Sequence, residues 1–227
     1  MPEKLQILLT NDDGIQSPGL GAAAEALSEL GFVHVVAPRL QSSGTGRSLP
    51  NSSDGKISTQ ILRVHAKDWT VYAVGGTPAQ AVLHGVLEVI GTKPALVVSG
   101  INYGENLGTA VTASGTIGAA LEAATMGVPA LAISLQVPTN YQLSYSRQID
   151  FSTSAYFTTY FGRLLLANHR NVDVSPAVLG MREIAFSLKN ANGGKDGVVG
   201  QGRAFFNRIK HLLDRTRALL PQDLHHS

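Results

Sequence analysis

Two carboxylates stand side by side in LLTNDDGI, Leu8 to Ile15: Asp12 and Asp13, placed where a short apolar run gives way to turn residues. Adjacent like charges repel, so something positive should be present to receive them. Successive strand residues point to opposite faces, so both carboxylates serve one centre only where the chain turns, as Gly14 permits. A hard, oxygen-seeking ion such as Mg²⁺, Mn²⁺ or Ca²⁺ removes the repulsion. The competing account is a plain turn whose short polar side chains bond local amides. At this point both accounts stand.

Three further segments carry polar groups of the right kind. Ser42, Ser43, Gly44 and Thr45 offer hydroxyls and flexible backbone amides, or else no more than a surface loop. Asn102 and Asn106 lie in GINYGENLG, whose glycines allow close approach to a ligand or simply make turns. Ser114-Gly115-Thr116 opens the helix TIGAALEAATMG. Ser114 is a good N-cap there, and a helix start with free amides is also an anion site suited to phosphate. Those two roles are compatible.

Other chemistries lack their signatures. G-x-S-x-G is absent, so no nucleophile elbow of the α/β-hydrolase type is supported. No G-x-x-x-x-G-K-[ST] occurs, and the first strand–helix turn lacks G-x-G-x-x-G, which disfavours a dinucleotide-dependent oxidoreductase. A phospho-receiver domain would need an acceptor aspartate after the third strand, where Gly75-Gly76-Thr77 stands. With no cysteine, any metal must be held by oxygen or imidazole. The seven histidines are scattered and none is assigned a metal; His84 reads as a packing residue.

The elements that must position these groups alternate. Leu5–Thr10 reads as a buried strand, and Ser17-Pro18 caps a helix that runs to Leu30. Further strands fall at Phe32–Ala37, Trp69–Val74, Ala95–Ser99 and Pro129–Leu135, with helices from Thr77-Pro78 and from Ser114. Such alternation predicts an α/β fold, a Rossmann-like parallel sheet with helices on both faces. Ligands of such sheets bind beyond the carboxyl ends of the strands. The Asp pair, the Ser43 loop and GINYG all fall there. The polar stretch after the second strand is long for a connection, and residues 44–56 are a candidate mobile cover. Phe151–Ala167 reads as another helix and NVDVSP, from Asn171, as a strand. Residues 1–188 form the predicted core domain. Residues 189–227 are a glycine-rich linker and an amphipathic C-terminal helix, either docked on its own domain or reaching another subunit.

At 227 residues, 44% apolar and 15% charged, the chain has the composition of a globular protein. A formal net charge of +2 is too small to imply a nucleic-acid polymer as partner. Neither a signal peptide nor a membrane-length apolar run is visible, so residence in the cytoplasm is the expectation.

In order and spacing, ILLTNDDGIQSPG, VVAPRLQSSGTGRSL, GTPAQAV, VVSGINYGENLG, SGTIGAALEA and GVPALAISL resemble the SurE family of metal-dependent phosphatases, also described as 5′/3′-nucleotidases. The resemblance covers about residues 5 to 135. It implies a divalent-metal-dependent phosphomonoesterase acting on nucleoside monophosphates or other small phosphate esters. It implies one ion per subunit, Mg²⁺ or Mn²⁺, held by Asp12, Asp13, Ser43 and Asn102, with the two aspartates catalytic through that ion. Phosphate would meet Asn106, Ser114, Gly115 and Thr116. Homodimers or homotetramers built through C-terminal extensions are implied as well. Gln80 and Ala81 stand where the family usually has Asp-Cys, and Ala113 where an aromatic is common. A catalytically weak nucleotide- or metal-binding protein of the same fold is the alternative.

Overall fold

Leu96–Tyr103, strand β5, is buried along its whole length, and the sheet is built outward from it. The computed structural model describes residues 4–64, 66–142, 144–169 and 184–189, all within one unit, Met1–Lys189. In chain order the elements are β1 (Gln6–Thr10), α1 (Pro18–Leu27), β2 (Phe32–Pro38), β3 (Ile57–Val64), β4 (Lys67–Val74) and α2 (Pro78–His84). After these come β5, α3 (Gly115–Thr125), β6 (Ala130–Gln136), α4 (Ser152–His169) and β7 (Ile184–Lys189). The seven strands lie in the order β3-β4-β2-β1-β5-β6-β7. All neighbours are parallel except β3, which pairs antiparallel with β4 at the edge.

Burial on both faces explains why the central strands are nearly continuous in Ile, Leu, Val and Ala. Helices α2 and α3 pack together on one face, and α1 and α4 on the other. Leu8, Val36, Val74 and Val97 face the first pair and form a core with Ala81, Val82, Ile117 and Ala123. At full burial each of the Leu, Val and Ile side chains contributes roughly 1.5–3 kcal/mol.

Five of the six expected strands and four of the five expected helices are present within a few residues. Strand β3 is not among the expected elements. Its sequence, ISTQILRV, is largely exposed and polar at the sheet edge, so it lacks the apolar run that marks the central strands. The expected strand at NVDVSP and the C-terminal helix lie outside the described residues; the final described strand is Ile184–Lys189. Ser17 occupies the cap position of α1, yet its buried hydroxyl makes no hydrogen bond. Thr77 does cap α2, in a reciprocal capping box with Gln80. A π-helical segment, Gly85–Ile90, extends α2, and His84 on its last turn pairs with Glu88.

The loop named as a candidate cover is bonded to its neighbours at several points. The amide of Gly46 donates to the Ala113 carbonyl at 2.9 Å, and the Thr77 hydroxyl donates to the Ser48 carbonyl at 2.7 Å. Gln80 donates to the Pro50 carbonyl at 3.0 Å and accepts from the Ser53 hydroxyl at 2.7 Å. Arg47 pairs at 2.7 Å with buried Glu122 on α3. This loop is a wall of the site. Gln80, a departure from the family pattern, is one of its principal fasteners.

The wall fits closely because of one glycine. A Cβ on Gly118 would lie 2.1 Å from the Gly46 carbonyl oxygen, a backbone atom with nowhere to go. Gly21 on α1 has open space at the same position. Gly118→Ala should therefore destabilise by about 1–3 kcal/mol through overpacking, while Gly21→Ala should be neutral or stabilise by about 0.5–1 kcal/mol. Thermal midpoints of the two variants check this pair; equal shifts would show that α3 does not bear on the wall.

Candidate functional site

Strand β1 connects leftward to β2, whereas β5 begins the rightward half of the sheet, so the strand order reverses between them. Open α/β sheets bind ligands at the carboxyl ends flanking such a reversal. Asp12 and Asp13 follow β1 directly, and Asn102 lies near the end of β5, whose register shifts between Ser99 and Asn102. A bulge of this kind re-aims side chains at a sheet end.

The turn that splits the two carboxylates is set by Asn11. Its side-chain oxygen accepts from the Gly14 amide, and its Nδ2 donates to the Gly14 carbonyl, both at 3.1 Å. Gly14 has φ 97°, a conformation that L side chains rarely adopt. The plain turn expected as a rival account is thus real, but Asn11 makes it and the aspartates are released for other work. Asn11 was no candidate in the sequence, where its turn propensity was visible but its separate task was not.

Asp12 points toward the start of α3. Its Oδ1 accepts from the Thr116 hydroxyl at 2.6 Å, and the amides of Gly115 and Thr116 also bond its carboxylate. A Cβ on Gly115 would sit 2.8 Å from the Asp12 Cβ, so only glycine lets the helix start approach. Part of the positive partner is therefore a helix terminus with its amide dipoles. Asp13 turns toward β5, where its Oδ2 accepts from the Tyr103 amide at 3.0 Å. Gln41 bonds the same carboxylate and donates to the Ser43 hydroxyl at 3.3 Å, which ties Ser43 to the pair. The Ser42 amide donates to the Asp12 carbonyl at 2.7 Å. Gln41 carries no motif of its own, and nothing in the sequence marked it.

Asn102 is buried, with its Nδ2 donating to the Gly104 carbonyl at 2.8 Å; its oxygen is the side that remains. Asn106 is drawn to β6, donating to the Ser134 hydroxyl at 2.6 Å. The Ser114 hydroxyl caps α3 by accepting from the Ile117 amide at 3.2 Å. Asp12, Asp13, Ser43 and Asn102 are thus joined through shared partners or adjacent backbone. In this geometry Gly115 and Thr116 bond Asp12, and Asn106 bonds Ser134.

Burial decides the electrostatics. Asp12 is 4% exposed and Asp13 2%, and among the described residues no lysine, arginine or histidine forms an ion pair with either. Desolvation raises the pKa of Asp12 in spite of its hydrogen bonds. Desolvation and then the charge of Asp12 push Asp13 up to about 8. Two buried acids left without a cation fit a hard divalent ion, which would relieve both penalties at once. Among the described residues no group of three or more His, Asp or Glu could hold a metal. Ser43 and Asn102 carry neutral oxygens of the kind such an ion accepts.

The profile of the family described as Survival protein SurE matches residues 7–175. The chain belongs to the SurE family. It is 54% identical over 149 residues to a protein named 5′-nucleotidase SurE from Archaeoglobus fulgidus, covering 65% of this chain and 56% of that one. A 5′-nucleotidase SurE from Methanococcoides burtonii is 42% identical over 176 residues, covering 74% of this chain and 66% of the relative. Among solved structures, the SurE protein of Aquifex aeolicus superposes with a TM-score of 0.57 at 37% identity, over 71% of this chain and 60% of that one. The chain thus spans about half the length of several curated relatives, 50% and 49% for those of Methanothermobacter thermautotrophicus and Methanopyrus kandleri.

The raised pKa of Asp13 has a consequence for the metal-free SurE chain. The folded state holds a proton that the unfolded state releases above pH about 4, so stability falls as pH rises from there toward 8. Asp13→Asn removes one of the two titrating groups and should make this dependence shallower, with buried Asp12 keeping part of it. Denaturation midpoints of both chains at intervals from pH 4 to 8, in chelator, check it; parallel curves would count against a buried Asp13.

Proposed function

We propose that this chain is a divalent-metal-dependent phosphomonoesterase that hydrolyses nucleoside monophosphates. The observation that supports the reading most is the uncompensated acid pair at the strand-order reversal, with Ser43 and Asn102 on the neighbouring loop and strand. The names of the SurE relatives point the same way. Mg²⁺ or Mn²⁺ is the proposed ion, one per subunit. A cytoplasmic homodimer or homotetramer is the proposed setting, resting on the family resemblance and on the apolar spacing between Phe205 and Leu220. Among the described residues no helix is long and apolar enough to cross a membrane.

Asp12 and Asp13 would hold the ion, and the oxygens of Ser43 and Asn102 would complete a partial shell. When bound, such an ion polarises a phosphoryl oxygen and activates water. The chain's own contribution is to place the ester. The start of α3, Ser114–Thr116, lies beside Asp12 and supplies the positive end of a helix, and Asn106 adds an amide from the neighbouring loop. Together they would stabilise charge on the equatorial phosphoryl oxygens. In this proposal Gly115 and Thr116 serve twice, anchoring Asp12 and bordering the phosphate. Burial of both carboxylates keeps bulk water from competing for the ion, and the stitched wall after β2 limits solvent on that side.

Turnover of nucleoside monophosphates with Mn²⁺ or Mg²⁺ should be abolished by EDTA and restored by adding the ion back. Asp12→Asn should lower kcat/KM by at least 10²-fold, in the range for losing a preorganised electrostatic group. Thr116→Val, which deletes one bond to Asp12, should cost less. Hydrolysis that survives both EDTA and Asp12→Asn would refute the metal reading.

A further inference from the structure

One face of α3 meets both the Asp12 turn and the loop that carries Ser43. Gly115, Gly118 and Glu122 are spaced three and then four residues apart, so they share that face. At the first of them a Cβ would lie 2.8 Å from the Asp12 Cβ. One turn on, a Cβ on Gly118 would lie 2.1 Å from the Gly46 carbonyl oxygen. A further turn on, Glu122 accepts from Arg47 Nε at 2.7 Å. The two loops are thus registered against a single rigid element.

Arg47 is the charged part of that attachment. Its Nη2 also donates to the Thr125 hydroxyl at 3.2 Å, and that hydroxyl donates in turn to the Glu122 carbonyl at 2.7 Å. A planar fork bonded at two places fixes direction as well as distance. Glu122 is 5% exposed, and Arg47 is its ion-pair partner. A buried carboxylate left alone is costly, so this pair binds the loop more firmly than an exposed pair such as Arg63–Asp68 binds its hairpin. Between Arg47 and Ser43 the chain has little slack. The Ser48 amide donates to the Thr45 carbonyl at 3.1 Å, and the Thr45 hydroxyl to the Ser42 carbonyl at 2.8 Å. On its other side the Ser42 amide is bonded to the Asp12 carbonyl at 2.7 Å.

We infer that Arg47 is a positioning residue for the divalent ion: its grip on Glu122 and Thr125 sets where Ser43 stands relative to the aspartates, and so how tightly the site binds the cation. The inference rests on the metal-dependent reading of the site and deepens it. Arg47 acts through the loop and α3, with its guanidinium turned to the helix. Loosening it should therefore weaken the ion's binding before it weakens the fold.

Calorimetric titration of the full chain with Mn²⁺, without substrate, tests this beside thermal midpoints in chelator. Arg47→Met combined with Glu122→Leu replaces the pair by apolar groups and leaves no buried charge alone, an exchange that is often neutral for stability. Its midpoint should stay near the wild type's while its Mn²⁺ affinity falls about tenfold, the low end for losing a partner outside the ligand shell. Arg47→Lys keeps the charge but loses the fork, and its affinity should fall between the two. Arg63→Met, which removes the exposed pair at the β3–β4 hairpin, should leave the affinity unchanged. Wild-type affinity in both Arg47 variants would overturn the inference. So would a loss of affinity that only follows a lowered midpoint, because a merely structural Arg47 would give that result. Turnover of a nucleoside monophosphate separates the two levels of the claim. Mn²⁺ binding that is weakened in the variants, with no turnover by any chain, would refute hydrolysis and keep the role of Arg47. Turnover with equal Mn²⁺ binding by all chains would refute that role alone.

Discussion

The contact between the Asp12 carboxylate and the start of α3 is the interaction on which the site depends. Burying one carboxylate costs several kcal/mol unless its oxygens are bonded, and burying two adjacent ones costs more. Asp12 meets this with the Thr116 hydroxyl and the amides of Gly115 and Thr116. The same contact fixes the end of α3 over the sheet edge. From there α3 reaches the wall after β2 through Gly118 and Glu122, and the wall returns to Asp12 through the Ser42 amide. The circuit closes on itself. A change at any of its glycines would be felt at the carboxylates.

That compensation is partial for Asp12 and weaker still for Asp13, which has one backbone amide, the Gln41 side chain and a like-charged neighbour. A structural carboxylate in such a place would be expected to have acquired an arginine or lysine. Stored electrostatic tension of this kind is common where a site must bind a charged group that arrives later. The carboxylates are held by dipoles strong enough to orient them and too weak to neutralise them.

Much of this was legible in the sequence because it follows from local chemistry. The alternation of apolar runs with Pro-led helices gave the parallel core, and Ser114 and Thr77 cap where their side chains suggest. Adjacent acids followed by glycine announced a turn with a charge problem. What could not be read there is long-range. Strand β3 is polar and takes its identity from pairing with β4, so its pattern carries no core face. Gln41 and Asn11 act through partners that only the fold supplies. The 44–56 loop has the composition of a mobile segment, yet its residues are tied at Ala113, Thr77 and Gln80. Polarity in a loop reports that its groups need partners, and here the partners are protein.

Thr116 illustrates how one residue can carry two assignments that composition cannot separate. A hydroxyl at the second residue of a helix is equally able to meet phosphate or a carboxylate, since both present oxygen acceptors to the same amide dipoles. The fold places Asp12 there. The helix start therefore faces a permanent anion, and any phosphate approaching it meets that negative charge as well. A cation bound at the site would make their coexistence favourable. Under the proposed reading the ion and the substrate would be coupled: the positive charge that quiets the aspartates would be the condition for the helix terminus to accept a second anion. Substrate affinity should then depend on the metal through electrostatics as well as through direct contact.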